Sequence, residues 1–247
     1  MRILINIGNT RTSAVLSREG AFVSEVELLS TEQVTRGAVP AVWRQNPSVT
    51  GLSACVVPEA GGALRAAAPA ALSFVRAAAV SFPDLRGVDT RTLGQDRIAN
   101  AVGALHVCPP PVIVLDCGTA LTVEAIDADG VFRGGSIAPG RGMLLDSLHR
   151  KTAQLPRLAL SSGGVAKAVG STTAEAIRGG TDRGAVGMAR ELLVQTRIEI
   201  GEPDCPVLVT GGDAGWFFNA LDLCGVRRAP ENLTLVGLAR LDANGAC

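Results

Sequence analysis

The chain contains no tyrosine, and aromatic residues make up only 3% of its 247 residues. Proteins that bind single-stranded nucleic acid stack the bases on aromatic side chains, so this scarcity disfavours such a role. Acidic and basic residues balance at 23 each, which leaves no basic field to attract a phosphate backbone. We therefore expect no nucleic-acid partner.

Paired cysteine motifs and long apolar runs are also missing. The six cysteines are scattered without a CxxC pair, which is typical of free thiols in a reducing compartment and gives no zinc spacing. No stretch of about 18 apolar residues is present to span a bilayer, and the first apolar run is too short for a signal peptide. These absences predict a cytoplasmic protein with no membrane partner.

Strand and helix patterns alternate along the chain and predict an α/β fold. The expected strands are 2–6, 12–16, 22–28, 50–57, 112–116, 122–126, 131–135 and 207–210. The expected helices are 31–43, 60–79, 96–106, 144–151, 173–178, 182–198 and 233–241, with Pro69 interrupting the second. Three consecutive prolines at 109–111 cannot continue a helix, so we expect one domain over residues 1–108 and another over residues 112–247.

The sequence contains an internal repeat. When "LINIGNTRTSAVLSREG" (residues 4–20) is placed over "VLDCGTALTVEAIDADG" (residues 114–130), both copies read as strand, glycine turn, hydroxyl-rich strand and charged turn. The shift places Asn6 on Asp116 and Gly8 on Gly118. A repeat at this distance indicates two similar domains, which would face each other across a cleft suited to a ligand.

The two glycine turns have the composition of phosphate-binding loops. Gly8 and Gly118 permit close approach of backbone N–H groups to an anion, although either turn alone is equally typical of a tight β-turn. No GxxxxGK[ST] motif is present, so neither is a Walker loop. Asp116, at a strand end, is suited to hold a cation beside phosphate, whereas Asn6 offers only a neutral carbonyl.

Two further segments carry candidate chemistry. In "LGQDRIAN" (residues 93–100), the position of Asp96 is typical of a carboxylate at a helix start. The functional alternative is that Asp96 is an acid/base group and that Arg97 binds a substrate anion. In "VTGGDAGWF" (residues 209–217), the double glycine would let a ring or ribose lie against the backbone, although such turns are common. Only His106 and His149 are histidines, which leaves little room for a Ser-His-Asp triad or a His-rich metal site.

Taken together, these segments resemble the type III pantothenate kinases, a family of the acetate and sugar kinase/Hsc70/actin superfamily. The resemblance covers nearly the whole chain and is specific only as an ordered set. Its motifs are "NIGNT", "SACVVP", "LGQDRIANAVGA", "DCGTALT", "GGSIAPG" with "KTAQLP", "GSTTAEAIRGG", "TGGDA" and "ENLTLVGL".

The resemblance implies two ribonuclease-H-like (actin-like ATPase) domains, each a mixed sheet flanked by helices, with a cleft between them. It implies a cytoplasmic homodimer that transfers phosphate from ATP to pantothenate, giving 4'-phosphopantothenate, the first step of coenzyme A biosynthesis. The implied cofactors are Mg²⁺ with ATP and a monovalent cation, K⁺ or NH₄⁺.

The resemblance also implies roles for particular residues. Asp96 would accept the proton, and Asp116 would bind the monovalent cation. The implied substrate-binding residues are Gly94, Gln95, Asp96, Arg97 and Thr173. The implied ATP-binding residues are Asn6, Ile7, Gly8, Asn9, Thr10, Arg11, Thr12, Ser13, Thr119, Thr210, Gly211 and Gly212.

The chain departs from the family pattern at three places. Asn6 stands where the first phosphate motif normally opens with aspartate, and Thr172 replaces the asparagine of the GxNT segment. The family's substrate-contacting tyrosine upstream of GxDR is missing, as is the usual proline in "RGVDTRTLG". The alternative to an active kinase is therefore a weak or silent homologue that binds nucleotide and acts as a regulatory accessory protein.

Overall fold

The protein forms two sheets flanked by helices in the computed structural model, which describes residues 1–245. Its contacts divide it into two compact units. The first contains residues 1–110, 129–132 and the chain from Asn232 onward, and the second contains residues 111–128 and 133–231. The mixed α/β class expected from the sequence is confirmed.

The first unit is built on a six-stranded sheet with the order β3-β2-β1-β5-β6, and β4 also pairs with β2. Its strands are β1 (Arg2–Ile7), β2 (Arg11–Arg18), β3 (Ala21–Phe22), β4 (Glu27–Ser30), β5 (Gly51–Cys55) and β6 (Leu72–Phe74). Its helices are α1 (Thr31–Thr35), α2 (Ala41–Arg44), α3 (Pro58–Ala67), α4 (Gln95–Val107) and, from the end of the chain, α8 (Leu233–Ala243). Fully buried Ile3, Ile5 and Trp43 lie in its core.

The second unit is built on a five-stranded sheet with the order β11-β10-β7-β8-β9. Its strands are β7 (Val112–Cys117), β8 (Ala120–Ile126), β9 (Phe132–Pro139), β10 (Val207–Thr210) and β11 (Val226–Arg228). Its helices are α5 (Arg141–Lys151), α6 (Thr173–Glu199) and α7 (Ala214–Ala220). Ile113, Leu115, Val207 and Phe217 lie in its core.

The two sheets repeat one topology, as the sequence repeat indicates. In each, the first strand pairs antiparallel with the next strand of its hairpin and parallel with a later strand, which is β5 for β1 and β10 for β7. The registers differ by one residue, because Asn6 lies opposite Ser13 whereas Asp116 lies opposite Thr122. The first turn is therefore one residue longer, and the ungapped alignment of the repeat fails beyond it.

Three expected elements of the first unit were wrong. The helix over 31–43 is two short helices, because Gly37 has a φ of 92° and Pro40 follows it. The helix over 60–79 ends at Ala67, before Pro69, and is followed by strand β6. The strand over 22–28 is split into β3 and β4. Between them, the Ser24 hydroxyl accepts a hydrogen bond from the backbone N–H of Leu16.

In the second unit, the two helices expected over 173–178 and 182–198 are a single helix, α6. Gly179 and Gly180 do not interrupt it. A Cβ at Gly179 would overlap the carbonyl oxygen of Lys167, so this glycine permits a close approach within a continuous helix. Strand β11 was not expected, because it is three residues long and its residues are at least partly exposed.

The last helix, α8, packs on α4 and belongs to the first unit. The first boundary between the units, after Pro110, lies at the triple proline that the sequence marks. However, the chain returns to the first unit near Asn232. The sequence had instead predicted one continuous second domain over residues 112–247. The division into domains 1–108 and 112–247 stays a prediction.

Candidate active site

The first glycine turn joins β1 to β2 in the first unit. The N–H of Gly8 donates to the carbonyl oxygen of Arg11 at 3.0 Å, and the Thr31 hydroxyl donates to the Gly8 carbonyl at 2.6 Å. Asn9 and Thr10 lie exposed at the tip. The turn therefore holds its shape through protein contacts while its tip faces solvent.

Asn6 is the penultimate residue of β1, next to this turn. Its side-chain Oδ1 is buried, and no described residue donates a hydrogen bond to it. A buried amide oxygen without a donor costs free energy comparable to a lost hydrogen bond. This oxygen is thus available to a cation or to a donor on a bound molecule, although it brings no charge.

The segment "GQDR" lies at the N-terminus of α4, also in the first unit. Gly94 is the N-cap, and the Gln95 side-chain oxygen accepts the backbone N–H of Cys55 at 2.9 Å. This bond ties the start of α4 to the end of β5. A Cβ on Gly94 would lie 2.6 Å from Oδ1 of Asp96, so glycine leaves room for the carboxylate.

Asp96 is the carboxylate of this segment with a perturbed ionisation. Burial raises its pKa above the ordinary value, and the opposing effects are the hydrogen bond from the Arg97 N–H, at 2.8 Å, and the charge of Arg97. The Arg97 guanidinium carbon lies 5.9 Å from the centre of the Phe132 ring. A carboxylate made more basic by burial can accept a proton more readily than an exposed one.

The second glycine turn joins β7 to β8 in the second unit. The N–H of Gly118 donates to the Ala120 carbonyl at 3.0 Å. Thr210, at the end of β10, pairs with Asp116, and Gly211 follows with a φ of 93°. A Cβ on Gly211 would overlap Oδ1 of Asp116 and the carbonyl of Cys117. The turn of residues 210–212 therefore packs directly against the Asp116 carboxylate.

Negative charge accumulates around this turn. Burial, followed by the carboxylates of Asp116, Asp213 and Glu124, raises the pKa of Cys117 well above its usual value. A fully buried thiol in such a field stays protonated and inert. The same field favours a cation, which is the role that the sequence suggested for Asp116.

The structure adds two residues to this cluster that the sequence reasoning did not assign. Gly140 donates its N–H to the Thr119 carbonyl at 3.1 Å, and a Cβ there would overlap the turn. Next to it, the Arg141 side chain is only 2% exposed and forms a 2.9 Å ion pair with Asp182. In the sequence, the glycine-rich segment "GGSIAPGRG" could have indicated Gly140 as a site residue. No local pattern distinguished Arg141 from other arginines.

Thr173 is the first residue of α6 and is exposed. Thr172, the residue that replaces the family's asparagine, is the N-cap and forms a capping box with Glu175. The hydroxyl of Thr172 thus accepts a backbone N–H of the helix, and the neighbouring Thr173 side chain is left at the surface.

Within residues 1–245, no three His, Cys, Asp or Glu side chains are grouped so as to hold a metal ion. No helix in that part of the chain is long and apolar enough to cross a membrane.

The sequence is similar to those of known type III pantothenate kinases. Residues 2–195 match the profile of the family described as type III pantothenate kinase. The chain is 32% identical over 239 residues to a type III pantothenate kinase of Akkermansia muciniphila, covering 96% of each. It is 37% identical over 160 residues to one of Caulobacter vibrioides, covering 63% of this chain but only 60% of that relative.

The fold has counterparts among solved structures. A conserved putative Baf family transcriptional activator from Campylobacter jejuni superposes with a TM-score of 0.63 at 17% identity, covering 99% of this chain and all of the other. At that identity the likeness concerns the fold alone. From the profile match and the full-length relative, the chain belongs to the type III pantothenate kinase family.

Proposed function

We propose that this protein is an ATP-dependent kinase that phosphorylates pantothenate to 4'-phosphopantothenate, the first step of coenzyme A biosynthesis. The observation that carries the proposal is Asp96, whose pKa is raised by burial and which lies at the start of α4. Its segment matches the family motif that holds the proton acceptor. The family name of the relatives supplies the substrate.

In this proposal Asp96 accepts the proton of the primary hydroxyl of pantothenate. Gly94 leaves room for the carboxylate, and Gln95 fixes the helix start through the backbone of Cys55. Arg97 binds the substrate carboxylate, and Thr173 adds a hydroxyl contact. Phosphoryl transfer depends mainly on positioning and on neutralising charge, and positioning is the role that we propose for these residues.

We propose ATP-binding residues at each of the two glycine turns. The residues of the first turn are Asn6, Ile7, Gly8, Asn9, Thr10, Arg11, Thr12 and Ser13. Among them, Thr12 and Ser13 are buried in β2, so they support the turn through packing, and the exposed tip provides the contacts. Thr119, Thr210, Gly211 and Gly212 are proposed to contact ATP in the second unit.

The proposed cofactors are Mg²⁺ and a monovalent cation, K⁺ or NH₄⁺. The side-chain oxygens present fit them, because Asn6 offers a buried oxygen to which no described residue donates, and the carboxylates of Asp116, Asp213 and Glu124 all act on the neighbouring Cys117. Mg²⁺ commonly takes one or two protein oxygens and completes its shell with phosphate and water, so no cage of three protein ligands is required. When bound, the ion neutralises the charge of the transferred phosphate.

We further propose that the protein acts as a cytoplasmic homodimer, as the family resemblance implies. Pantothenate and ATP are its proposed ligands.

One assay tests the proposed function directly. Purified protein receives Mg-ATP, K⁺ and pantothenate, and 4'-phosphopantothenate is measured for the wild type, Asp96→Ala and Asn6→Asp. We expect wild-type turnover, a loss of about 10²–10⁴-fold in Asp96→Ala, and a gain in Asn6→Asp, because a second carboxylate beside the phosphates would hold Mg²⁺ more firmly. Replacement of the exposed Asp222 by alanine is the matched control and should leave turnover unchanged.

Silence in the wild type together with activity in Asn6→Asp would show a decayed site and contradict the proposal. Nucleotide binding without turnover in any of the proteins would favour the regulatory accessory role. Turnover that survives Asp96→Ala would remove Asp96 from its proposed role.

A further inference from the structure

A buried arginine in the second unit joins three segments that the proposed site uses. Nη2 of Arg141 donates to Oδ1 of Asp182 on α6 at 2.9 Å, and Nη1 lies 3.7 Å from Oδ2 of Asp213. Its guanidinium carbon lies 3.6 Å from the ring centre of Trp216 on α7. At 2% exposure, this guanidinium is shielded from solvent and does not serve as a surface ligand group.

The same side chains hold the loop between α5 and α6. Residues 152–172 contain no helix or strand, and loops this long are usually functional or disordered. Arg141 donates to the Ser161 carbonyl at 3.1 Å, and Trp216 Nε1 donates to the Gly163 carbonyl at 2.8 Å. Oδ2 of Asp182 accepts the Ala166 N–H at 3.2 Å. Three points of the loop are thus fixed by one trio, which consists of the buried Arg141 and Asp182 and the partly exposed Trp216.

The trio also adjoins two turns of the second unit that are proposed to contact ATP, namely the second glycine turn and the turn of residues 210–212. Asp213 directly follows the turn of residues 210–212 and donates its N–H to the Cys117 carbonyl at 2.9 Å. Arg141 directly follows Gly140, which is hydrogen-bonded to Thr119. A shift of the guanidinium would therefore disturb the loop through Ser161 and Asp182, and the turn of residues 210–212 through Asp213.

We propose that Arg141 is a positioning residue that holds the 152–172 loop and the 210–212 turn in one arrangement, and that loop order and nucleotide affinity are coupled through it. The nucleotide part rests on the proposed function, whereas the loop part does not. Arg141 contacts no substrate in this proposal; it acts through Asp213, Asp182 and Trp216.

Limited trypsin digestion tests the loop part without any need for activity, because Arg157 and Lys167 are exposed cleavage sites within the loop. Wild type, Arg141→Met and Trp216→Leu are compared. We expect cleavage at these two sites to be roughly tenfold faster in both variants, on the scale of typical coupling. Arg150→Gln is the matched control, since Arg150 lies on the same helix in an exposed pair with Asp146, and should be cleaved like the wild type.

The nucleotide part is measured by titration with ADP and by steady-state kinetics. We expect the ADP Kd and the KM for ATP to rise roughly tenfold in both variants, with the KM for pantothenate little changed. Trp216→Leu leaves no buried charge unpaired, so it decides the question if Arg141→Met does not fold. Wild-type cleavage rates in Trp216→Leu, or a loosened loop with unchanged ADP affinity, would overturn the proposal. Absence of ADP binding in the wild type would instead refute the proposed function, and digestion would still decide the loop part.

Discussion

The proposed function of Asp96 requires an ionised carboxylate, and ionisation at this position lowers the stability of the fold. Burial raises its pKa, so the folded state disfavours the ionised form that a base requires. The stabilising contribution of such a carboxyl is complete below its unfolded pKa of about 4 and is lost as the pH rises through the higher folded pKa. At neutral pH the ionised Asp96 therefore lowers the free energy of unfolding.

We expect Asp96→Asn to raise the melting temperature at pH 7 while abolishing kinase turnover. The gain should shrink as the pH falls through the raised folded pKa towards the unfolded value of about 4, because the wild-type carboxyl becomes protonated over that range. Thermal melts of both proteins between these pH values measure it. In the wild type, kcat/KM should fall on the acid side with an apparent pKa above that of an exposed aspartate. A melting temperature that is lower in Asp96→Asn at pH 7 would contradict this account.

For Asn6, the sequence showed the missing charge but not the surroundings of the side chain. Its neutral side chain was evident from the repeat, because its counterpart is Asp116. The sequence could not show that its Oδ1 is buried and accepts no hydrogen bond from the residues that the structure describes. Such an oxygen leaves the position open to a ligand even though the charge is gone.

At the scale of elements, helix α4 carries the proposed base and is positioned by helix α8. The two helices cross closely at glycines, and a Cβ on Gly237 would overlap the carbonyl of Ala99. The Thr234 hydroxyl donates to the side-chain oxygen of Asn100 at 2.7 Å within this interface. The contact at Gly237 leaves no space for an added Cβ, since the atom that it would overlap belongs to the backbone.

We expect Gly237→Ala to destabilise the protein by about 1–3 kcal/mol, the usual cost of overpacking, and to lower turnover by shifting the start of α4. Gly62→Ala is the matched control, because Gly62 lies within α3 with no atom within 4 Å of an added Cβ. That change should instead stabilise by about 0.5–1 kcal/mol through helix propensity. Urea denaturation of both variants measures the two effects. Equal effects of the two substitutions would refute the close helix crossing.

Local signals predicted the elements that depend on neighbours in sequence. The helix start at "GQDR" and the two glycine hairpins were expected, because capping and turn chemistry act over a few residues. The helix expected over 31–43 is divided at Gly37 and Pro40. The gap expected between the helices over 173–178 and 182–198 does not exist, because α6 continues through Gly179. Its actual role, a close approach to Lys167, depends on a loop that the sequence does not place.

For the whole molecule, the path of the chain has a testable consequence. The chain leaves the first unit near residue 110 and returns to it from Asn232 onward. Leu233, Leu235 and Leu238 of α8 are fully buried. Each fully buried leucine contributes about 1.5–3 kcal/mol, so their loss is comparable with the total stability of a domain, about 5–15 kcal/mol.

We expect a chain truncated after Glu231 to lose the native structure of the first unit. The two tryptophans report the units separately, since Trp43 is fully buried in the first and Trp216 lies in the second. Fluorescence of Trp43→Phe and Trp216→Phe versions of the truncated chain should show a solvent-exposed Trp43 and a native Trp216. A native Trp43 signal would show that α8 is dispensable for the first unit.

The sequence by itself determined the family, the two matched hairpins, the identity of the proposed base and the missing charge at Asn6. These features lie in short segments whose residue types and spacing carry the signal. Only the tertiary structure decided that α8 packs on α4, that Gly211 lies against Asp116, and that Arg141 is buried between Asp182 and Trp216. Such contacts join residues tens to more than a hundred positions apart, and they depend on how whole elements pack rather than on any local pattern.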